Sequence, residues 1–448
     1  FRVWLADKEF DEHVSGVPNL GMNISKLSEI NSVFMVGSRL RDEFPLLAQK
    51  FRIATKENGL RVAQLNAIEQ PLLMPLEEGI LEKPSHWVTV LKNILNICQQ
   101  KNYVSMSGEN LDLNKKVQKI VDMLSQNQPE SNSSLIIAGP SVFSHPNASS
   151  LLSLLSQIAE ELKCRFALLP SGGNVSGGFL AKALPESDGY NTTSMFDNAN
   201  SAFLLLNVEP AKDLNFGLHA VKTMKQSKVG VVAMTSFKSS VADFATVMLP
   251  ISPFTESAGT YINMEGRAQN VRPVADSQGS SRPAWKILRV MGNLLGIEEF
   301  KYENIKDVQK LFSNKINDDS FIKDFNFIVN KKNTINPNNN YEKNTLEFTS
   351  FFPIYLSDQI VRRSESLLKT SQSIKPSFRI NPKSLDHLSF LNGDIIKLKL
   401  SVGLKSEYIE GKYSVDFSVA EGVVAIGQGH PDQNNFSTMN QLVSVVVD

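Results

Sequence analysis

The stretch that decides the fold, residues 249–269, reads LPISPFTESAGTYINMEGRAQ. It follows a short apolar segment, residues 246–249, that is typical of a β-strand. Gly259 and Gly266 let the backbone approach a neighbouring group closely. Glu265 and Arg267, two residues apart, indicate a paired charge network. On residue chemistry alone two interpretations stay open, a solvated loop with a surface ion pair and a built polar site.

The order of the polar residues resembles a family signature. A strand ending in Leu-Pro is followed by Glu, Gly-Thr, Asn, Glu-Gly-Arg and Gln, as in the molybdopterin oxidoreductase family. The resemblance continues through residues 282–296, RPAWKILRVMGNLLG, which are similar to the helix after that signature. Within the family, this version most resembles the large iron–sulfur subunits (the G subunits) of bacterial respiratory complex I, the NADH:quinone oxidoreductase.

This resemblance implies a non-catalytic scaffold in the peripheral arm, which carries electrons from NADH through iron–sulfur clusters to quinone. The relic of a pterin pocket would comprise Glu209, Glu256, Gly259, Thr260, Asn263, Glu265, Gly266, Arg267 and Gln269. No catalytic residue, metal ligand or cofactor is expected in this portion, and iron–sulfur clusters are expected in a preceding N-terminal part. The expected partners are other peripheral-arm subunits of complex I, on the cytoplasmic face of the bacterial inner membrane or the mitochondrial matrix side.

Two alternatives stay open. The first is a working molybdopterin-dependent oxidoreductase, similar to formate dehydrogenase, in which the same residues hold the polar edges of the pterin. No cysteine lies in a glycine-rich loop, so an Asp or Ser ligand to the metal would remain. The second is a structural interaction protein unrelated to electron transfer, which would make the long motif match a coincidence.

Composition excludes several functions. The 448 residues predict two to four domains of about 150 residues each, and 46 basic against 46 acidic residues lack the basic excess of a nucleic-acid-binding protein. No apolar run is long enough to span a bilayer, so we expect membrane contact only through a partner. Cys98 and Cys164 are too few for an iron–sulfur cluster and are expected to be reduced, buried thiols. The chain begins with Phe1, which favours a fragment or processed form.

Apolar periodicity predicts alternating strands and helices. Residues 32–36 and 60–65 flank a helical pattern, which predicts a right-handed βαβ unit. This unit resembles a family segment through Gly37, Arg39, Glu43 and Pro45, without the glycine pattern of a dinucleotide site. Further predicted strands are residues 135–138, 165–169, 202–206 and 229–234. Three helical patterns each have an apolar face that is predicted to be buried. These faces comprise Trp87, Val90, Leu91, Ile94 and Leu95 in the first, Leu111, Val117, Ile120, Val121 and Leu124 in the second, and Trp285, Leu288, Met291 and Leu295 in the third.

Three loop features have competing interpretations. Residues 171–178, SGGNVSGG, could cradle a phosphate or form a flexible loop, and the family resemblance favours a place near the pterin. His145 and His430 are expected to be loop residues without a catalytic role. Asn207 stands where the family usually has Gly, which weakens close approach of a ligand.

The predicted fold class is α/β, with Rossmann-like layers, mostly parallel sheets and a C-terminal β-barrel of the double-psi type. The barrel follows from strands predicted at residues 395–400, 412–417 and 423–426 together with the family resemblance. The predicted domains are residues 1–130, residues 131–315 with the motif, an Asn/Lys-rich linker at 316–349, and the barrel at 350–448.

Overall fold

The structure is a computed structural model that describes residues 5–7, 9–100, 111–125, 133–169, 171–185, 189–197, 202–214, 216–227, 230–316, 321, 327–331, 345–373, 377–385, 395–402, 405–431 and 441–446. Two compact units make up the chain. Unit 1 comprises Phe1–Val3, Gly172–Asn326 and Asn434–Phe436, and unit 2 comprises Trp4–Ser171, Phe327–Gln433 and Ser437–Asp448.

The described strands are β1 (Val14–Gly16), β2 (Ser32–Val36), β3 (Arg61–Asn66), β4 (Glu78–Leu81), β5 (Ser134–Ala138), β6 (Arg165–Leu168), β7 (Phe203–Leu206), β8 (Val231–Thr235), β9 (Val247–Pro250), β10 (Gly259–Ile262), β11 (Ala268–Val271), β12 (Phe327–Val329), β13 (Thr345–Phe351), β14 (Phe378–Ile380), β15 (Ile395–Val402), β16 (Lys405–Val415), β17 (Val423–Gly427) and β18 (Gln441–Val446). The described α-helices are α1 (Phe10–His13), α2 (Leu40–Glu43), α3 (Pro45–Asn58), α4 (Trp87–Cys98), α5 (Leu111–Ser125), α6 (Pro140–Phe143), α7 (Ala148–Glu161), α8 (Val175–Leu180), α9 (Thr192–Asp197), α10 (Pro210–Asp213), α11 (Gly217–Gln226), α12 (Ala284–Leu294), α13 (Ile305–Lys310) and α14 (Glu365–Leu368).

Unit 2 contains a five-stranded parallel sheet in the order β4-β3-β2-β5-β6. Every residue of β2 and β5 is buried, as continuous apolar runs predict for parallel strands covered on both faces. The chain order reverses between β2 and β5, and α/β proteins bind ligands outside the carboxyl ends of the strands at such a point. The predicted βαβ unit is confirmed.

The helices around this sheet bury the apolar stripes predicted from the sequence. Trp87, Val90, Leu91, Ile94 and Leu95 of α4 are all buried, as are the predicted residues of α5 from Val117 to Leu124. The predicted burial is wrong for Leu111 of α5, which is 68% exposed.

The sheet draws strands from both sides of the boundary predicted at residue 130. β2 pairs with β5 along its whole length, so residues 32–168 contribute to one sheet. The compact units therefore divide the chain differently from the predicted domains. Much of the predicted linker at 316–349 lies outside the described residues, but β12 within it pairs with β1.

The C-terminal strands of unit 2 close a six-stranded barrel in the order β13-β17-β14-β16-β15-β18. Two pairs, β13 with β17 and β14 with β16, are parallel and the others are antiparallel. The predicted barrel is confirmed. The barrel joins the sheet through an apolar cluster formed by Ile68, Val419, Ala420, Val423 and Ala425.

Unit 1 contains a three-stranded parallel sheet, β7-β8-β9, and an antiparallel hairpin, β10-β11. Residues of α11 pack with Phe203 and Val231 in a buried cluster against the sheet. The predicted burial of α12 is wrong for Leu295, which is 74% exposed, while Trp285, Leu288 and Met291 are only partly buried. Gly292 is the buried residue of α12, and it packs against the Phe300 ring so closely that a Cβ would lie 2.4 Å from it.

In the described part of the chain, the structure contains no helix that is both long and apolar enough to cross a membrane.

Candidate functional site

The signature motif folds into the β10-β11 hairpin of unit 1. Gly259 lies opposite Val271, and Ile262 lies opposite Ala268. A tight loop of residues 263–267 joins the strands, and the Asn263 backbone N–H donates to the Arg267 carbonyl at 3.1 Å. Gly266 has φ +83° in this loop, a conformation that favours glycine. The glycine of the motif is therefore required by the turn itself.

The Asn263 side chain organises the hairpin loop from within. Its Oδ1 accepts hydrogen bonds from the backbone N–H groups of Glu265, at 3.1 Å, and Arg267, at 2.9 Å. The Gly266 N–H donates to the Asn263 carbonyl at 3.0 Å. An asparagine side chain thus takes the place of backbone acceptors that the turn cannot supply.

Glu265 and Arg267 form the ion pair predicted from their spacing. Arg267 Nε lies 3.0 Å from Glu265 Oε1, and the carboxylate side chain is only 9% exposed. The Arg267 guanidinium also lies over the Phe321 ring, 4.2 Å from its centroid, and the two residues form an isolated β-bridge. The pair connects the hairpin loop to another segment of unit 1.

Thr260 and Gln269 belong to the outer part of the hairpin. Thr260 Oγ1 donates to Asn270 Oδ1 at 2.7 Å, and Gln309 Nε2 of α13 donates to the same Thr260 oxygen at 3.0 Å. Gln269 is exposed, and Gly259 has open space where a Cβ would stand. Gly259, Thr260 and Gln269 therefore take no part in the hydrogen bonds that hold the Asn263 loop.

Glu256 and Glu209 lie outside the hairpin. Glu256 Oε2 accepts from the Gln278 backbone N–H at 3.2 Å. Glu209 follows β7 and is 1% exposed, and its backbone N–H donates to Asp213 Oδ2 at 2.7 Å. Carboxyl ends of parallel strands meet at one edge, so Glu209 and the start of the motif share an edge of the β7-β8-β9 sheet. Asn207 occupies its turn with φ +52°, a left-handed conformation that asparagine tolerates.

The glycine-rich loop at residues 171–178 contacts the hairpin directly. Asn174 Oδ1 accepts from the Ile262 backbone N–H at 2.8 Å. A Cβ at Gly177 would lie 2.1 Å from that same Asn174 oxygen, so glycine there makes room for the contact. The sequence indicated this loop but not Asn174 as its point of contact, nor Gln309 and Phe321 as neighbours of the motif. No spacing signal could connect residues so far apart in the chain.

Unit 2 has a second candidate site, a cleft of about 590 Å³ beside the carboxyl end of β2. Its walls come from the loops after β2 and β3 and from the barrel, and they carry Arg39, Arg41, Asp42, Glu69, Phe351, Arg379, Asp416 and Ser418 among others. Sequence reasoning singled out Arg39 but did not predict that the barrel would complete a cleft with it.

Two of the arginines in this cleft are paired with carboxylates. Arg39 Nε donates to Asp42 Oδ2 at 3.1 Å, and its guanidinium lies 3.9 Å from the centroid of the Phe351 ring. On the barrel, Arg379 Nε donates to Asp416 Oδ2 at 2.6 Å. Burial alone would raise the pKa of Asp416, but hydrogen bonds from Ser418 and Arg379 outweigh it and lower that pKa. Arg379 therefore has a carboxylate partner within the barrel.

At the reversal point between β2 and β5, backbone from the protein itself fills the crevice. A Cβ on Gly139 would lie 2.6 Å from the Gly37 carbonyl oxygen, and one on Gly37 would lie 2.9 Å from the Val142 nitrogen. Ser141 N–H also donates to the Gly37 carbonyl at 2.9 Å. Gly37 and Gly139 therefore allow the two loops to pack closely, because neither has a side chain in the way.

Cys98, Cys164 and His145 of unit 2 are desolvated by the surrounding protein. Burial raises the pKa of Cys98 to about 11 and that of Cys164 to about 12, so both are neutral thiols at neutral pH. Burial lowers the pKa of His145 to about 4, and its ring nitrogens contact the Pro84 carbonyl and the Asn147 N–H. Cys98 ends α4 and Cys164 follows α7, and neither is part of the wall of the unit 2 cleft. Among the described residues, no group of three or more His, Cys, Asp or Glu side chains is placed to share a metal ion.

Comparison with known proteins decides the family. The model of the molybdopterin oxidoreductase family matches residues 2–293, more than half of the chain. The chain belongs to the molybdopterin oxidoreductase family. This confirms the family resemblance of the Glu256–Gln269 motif and the expected α/β fold.

Relatives of this molybdopterin oxidoreductase family member include subunits of NADH oxidoreductases. The chain is 28% identical over 144 residues to the NADH-ubiquinone oxidoreductase 75 kDa subunit of Reclinomonas americana, covering 30% of the chain and 19% of that subunit. It is 23% identical over 181 residues to the G subunit of NADH-quinone oxidoreductase from Rickettsia prowazekii, covering 39% of the chain and 24% of that subunit. The matches thus span about a quarter or less of these relatives. The predicted resemblance to the large subunit of complex I is confirmed.

Other members of the family are similar as well. A Staphylococcus aureus protein provisionally named formate dehydrogenase is 37% identical over 68 residues, which cover 15% of the chain and 7% of that protein. Among solved structures, acetylene hydratase from Pelobacter acetylenicus superposes with a TM-score of 0.61 at 13% identity, over 95% of the chain and 80% of the enzyme. At that identity the superposition establishes the fold alone.

Proposed function

We propose that this chain is the molybdopterin oxidoreductase-like portion of a complex I large subunit and serves there as a non-catalytic scaffold. The hydrogen bonding of the signature hairpin carries the proposal. Asn263 Oδ1 accepts two backbone N–H groups of its own loop, and Glu265 pairs with Arg267. These groups stabilise the loop, whereas a pterin site needs polar groups directed at the ligand.

The names of the relatives suggest which proteins this chain would contact as a scaffold. Both the Reclinomonas and the Rickettsia proteins are named as subunits of an NADH oxidoreductase. We propose that this chain contacts other peripheral-arm subunits and fixes the geometry of an electron path through iron–sulfur clusters elsewhere in the protein. Its place would be peripheral, on the cytoplasmic face of a bacterial membrane or the mitochondrial matrix side.

The test replaces Arg267 by Ala in the intact complex. Loss of the Glu265 pair and the Phe321 contact should lower the amount of assembled complex, while NADH:quinone turnover per assembled complex stays unchanged. The matched control is Arg272→Ala, because Arg272 is exposed beside the same hairpin. Normal assembly with a specific loss of turnover in Arg267→Ala would contradict the scaffold role.

A catalytic molybdopterin-dependent oxidoreductase is the second candidate. It is favoured by the Staphylococcus aureus relative that is provisionally named formate dehydrogenase. In that case the residues of the relic pocket would hold the pterin, which supplies the redox chemistry when bound. Neither Cys98 nor Cys164 lies in a glycine-rich loop, so an Asp or Ser would have to complete the metal's ligands. Molybdenum or tungsten bound to the natural protein would favour this candidate.

A further inference from the structure

The three-stranded sheet of unit 1 has one face that consists only of apolar side chains. β7, β8 and β9 are parallel, and Leu204 pairs with Val232, which pairs with Val247. Paired residues of neighbouring strands point to the same face of a sheet, and so does every second residue along a strand. We call this face the open face. It comprises Leu204, Val232 and Val247 in one row and Leu206, Met234 and Leu249 in the next.

Much of the open face is exposed. Leu204 is 51% exposed, Val247 is 45% exposed and Leu206 is 44% exposed, while Met234 at the centre of the second row is buried. Parallel sheets are normally covered on both faces, because their strands are apolar on both sides. The open face therefore has the composition of a covered sheet face without a full covering layer.

The connections between the three strands lie on the other face of the sheet. Helix α11 packs there against Phe203 and Val231, and Phe244 from the connection between β8 and β9 packs against the same cluster. The strand order β7-β8-β9 advances in one direction, so right-handed crossovers place both connections on one side. The crossovers of this sheet therefore leave the open face to be covered from elsewhere.

The size of the open face indicates what can cover it. Side chains with this exposure leave roughly 300 Å² open, whereas a stable dimer buries about 800 Å² on each copy. The face is thus too small to hold a second copy of this chain. Three strands are about 10 Å wide, which is also about the diameter of one α-helix. Because the open face has no polar or charged side chain, the covering surface must be apolar as well.

We propose that the open face is the docking surface for one amphipathic helix of another subunit. The helix lays its apolar stripe on Leu204, Leu206 and Val247 and takes the place that a covering helix has in other parallel sheets. This inference rests on the scaffold proposal, because it names the surface at which the chain meets a partner subunit.

Photo-cross-linking in the intact natural complex tests what covers the face. The cross-linker p-benzoylphenylalanine replaces Leu204 in the full chain, and in the matched control it replaces Val274, which is 89% exposed in unit 1 and lies outside the open face. We expect light-dependent capture of another subunit at position 204 only. The captured peptide should have apolar residues at steps of three and four, the pattern of an amphipathic helix. Capture of a second copy, of unit 2 of the same chain or of a peptide without this pattern would overturn the proposal, as would equal capture at both positions.

A charge on the open face tests its contribution to assembly. Val247→Asp sets a carboxylate where the helix would cover it, and Val274→Asp is the control. Covering an unpaired carboxylate is unfavourable, so the amount of Val247→Asp chain that co-purifies with other subunits should fall about tenfold or more. The amount of Val274→Asp chain should equal that of the natural sequence.

The outcomes separate this proposal from the scaffold proposal. Equal co-purification of Val247→Asp and Val274→Asp would overturn the docking surface and leave the scaffold role standing. A natural chain that co-purifies with no other subunit would overturn both. If Val247→Asp does not fold, the cross-link at position 204 decides alone, because that cross-linker is apolar and the position is half-exposed.

Discussion

Replacing Asn263 by Ala tests whether the signature motif stabilises its own loop. The substitution removes an acceptor for the backbone N–H groups of Glu265 and Arg267, at 3.1 and 2.9 Å. Each such hydrogen bond contributes about 1 kcal/mol to stability, so the loop should lose about 2 kcal/mol. At about 1.4 kcal/mol for each factor of ten, local opening of the hairpin becomes about 30-fold more frequent.

The assay is hydrogen exchange followed by mass spectrometry on peptides that cover β10 and β11. We expect about 30-fold faster exchange in the hairpin and unchanged exchange in the parallel sheet of unit 2. Asn293→Ala serves as the control, because Asn293 is exposed near the end of α12. Unchanged hairpin protection in Asn263→Ala would refute the reasoning, since the loop would then be held by something other than this side chain.

Two further substitutions probe unit 2. Gly139→Ala should destabilise unit 2 by about 1–3 kcal/mol, because the new Cβ would lie 2.6 Å from the Gly37 carbonyl oxygen. The control, Gly173→Ala in unit 1, should leave stability unchanged, because a Cβ there meets open space. Equal melting curves for the two variants would count against tight packing of the Gly37 and Gly139 loops. Glu43→Gln should flatten the pH dependence of the free energy of unfolding. The pKa of Glu43 is about 7 in the folded protein and 4.5 ordinarily, so between these pH values the native state binds a proton that the unfolded state does not. The stability of the natural sequence therefore falls as pH rises from 4.5 to about 7. The variant should gain at most about 3 kcal/mol above neutral pH, and denaturant titrations whose pH slopes match those of the natural sequence would disprove this.

Several parts of the fold could be predicted because the signal is local. The apolar runs of β2 and β5 have no polar face, which is how strands covered on both sides appear in a sequence. The Glu265–Arg267 pair also follows from spacing, because both residues lie in one tight turn. In these places neighbouring residues contain the whole interaction.

Other parts depend on contacts between distant residues. The sequence predicts a domain boundary at residue 130, but β2 and β5 pair across it. The bond from Ile262 to Asn174 joins residues 88 positions apart, and although the motif and the glycine-rich loop are each visible in the sequence, nothing there pairs one with the other. The stripe on α12 correctly indicated an apolar face, yet periodicity does not determine what covers such a face, and Leu295 remains 74% exposed.

The cleft of unit 2 shows the same limit for a candidate site. Gly37, Arg39 and Glu43 were visible as a motif after a strand. Phe351 and Arg379 complete the cleft only because the barrel packs beside that strand end. The pKa of Glu43 is raised because the surrounding protein desolvates its carboxyl group, and the sequence alone does not show which carboxyl groups are desolvated.

The metal and pterin content of the intact natural protein tests the central claim most directly. Elemental analysis would measure molybdenum, tungsten and iron, and acid oxidation would release any pterin as a fluorescent product. The scaffold account predicts iron without molybdenum, tungsten or pterin. Near-stoichiometric molybdenum or tungsten together with pterin would contradict it and make the Glu256–Gln269 segment part of an active-site wall.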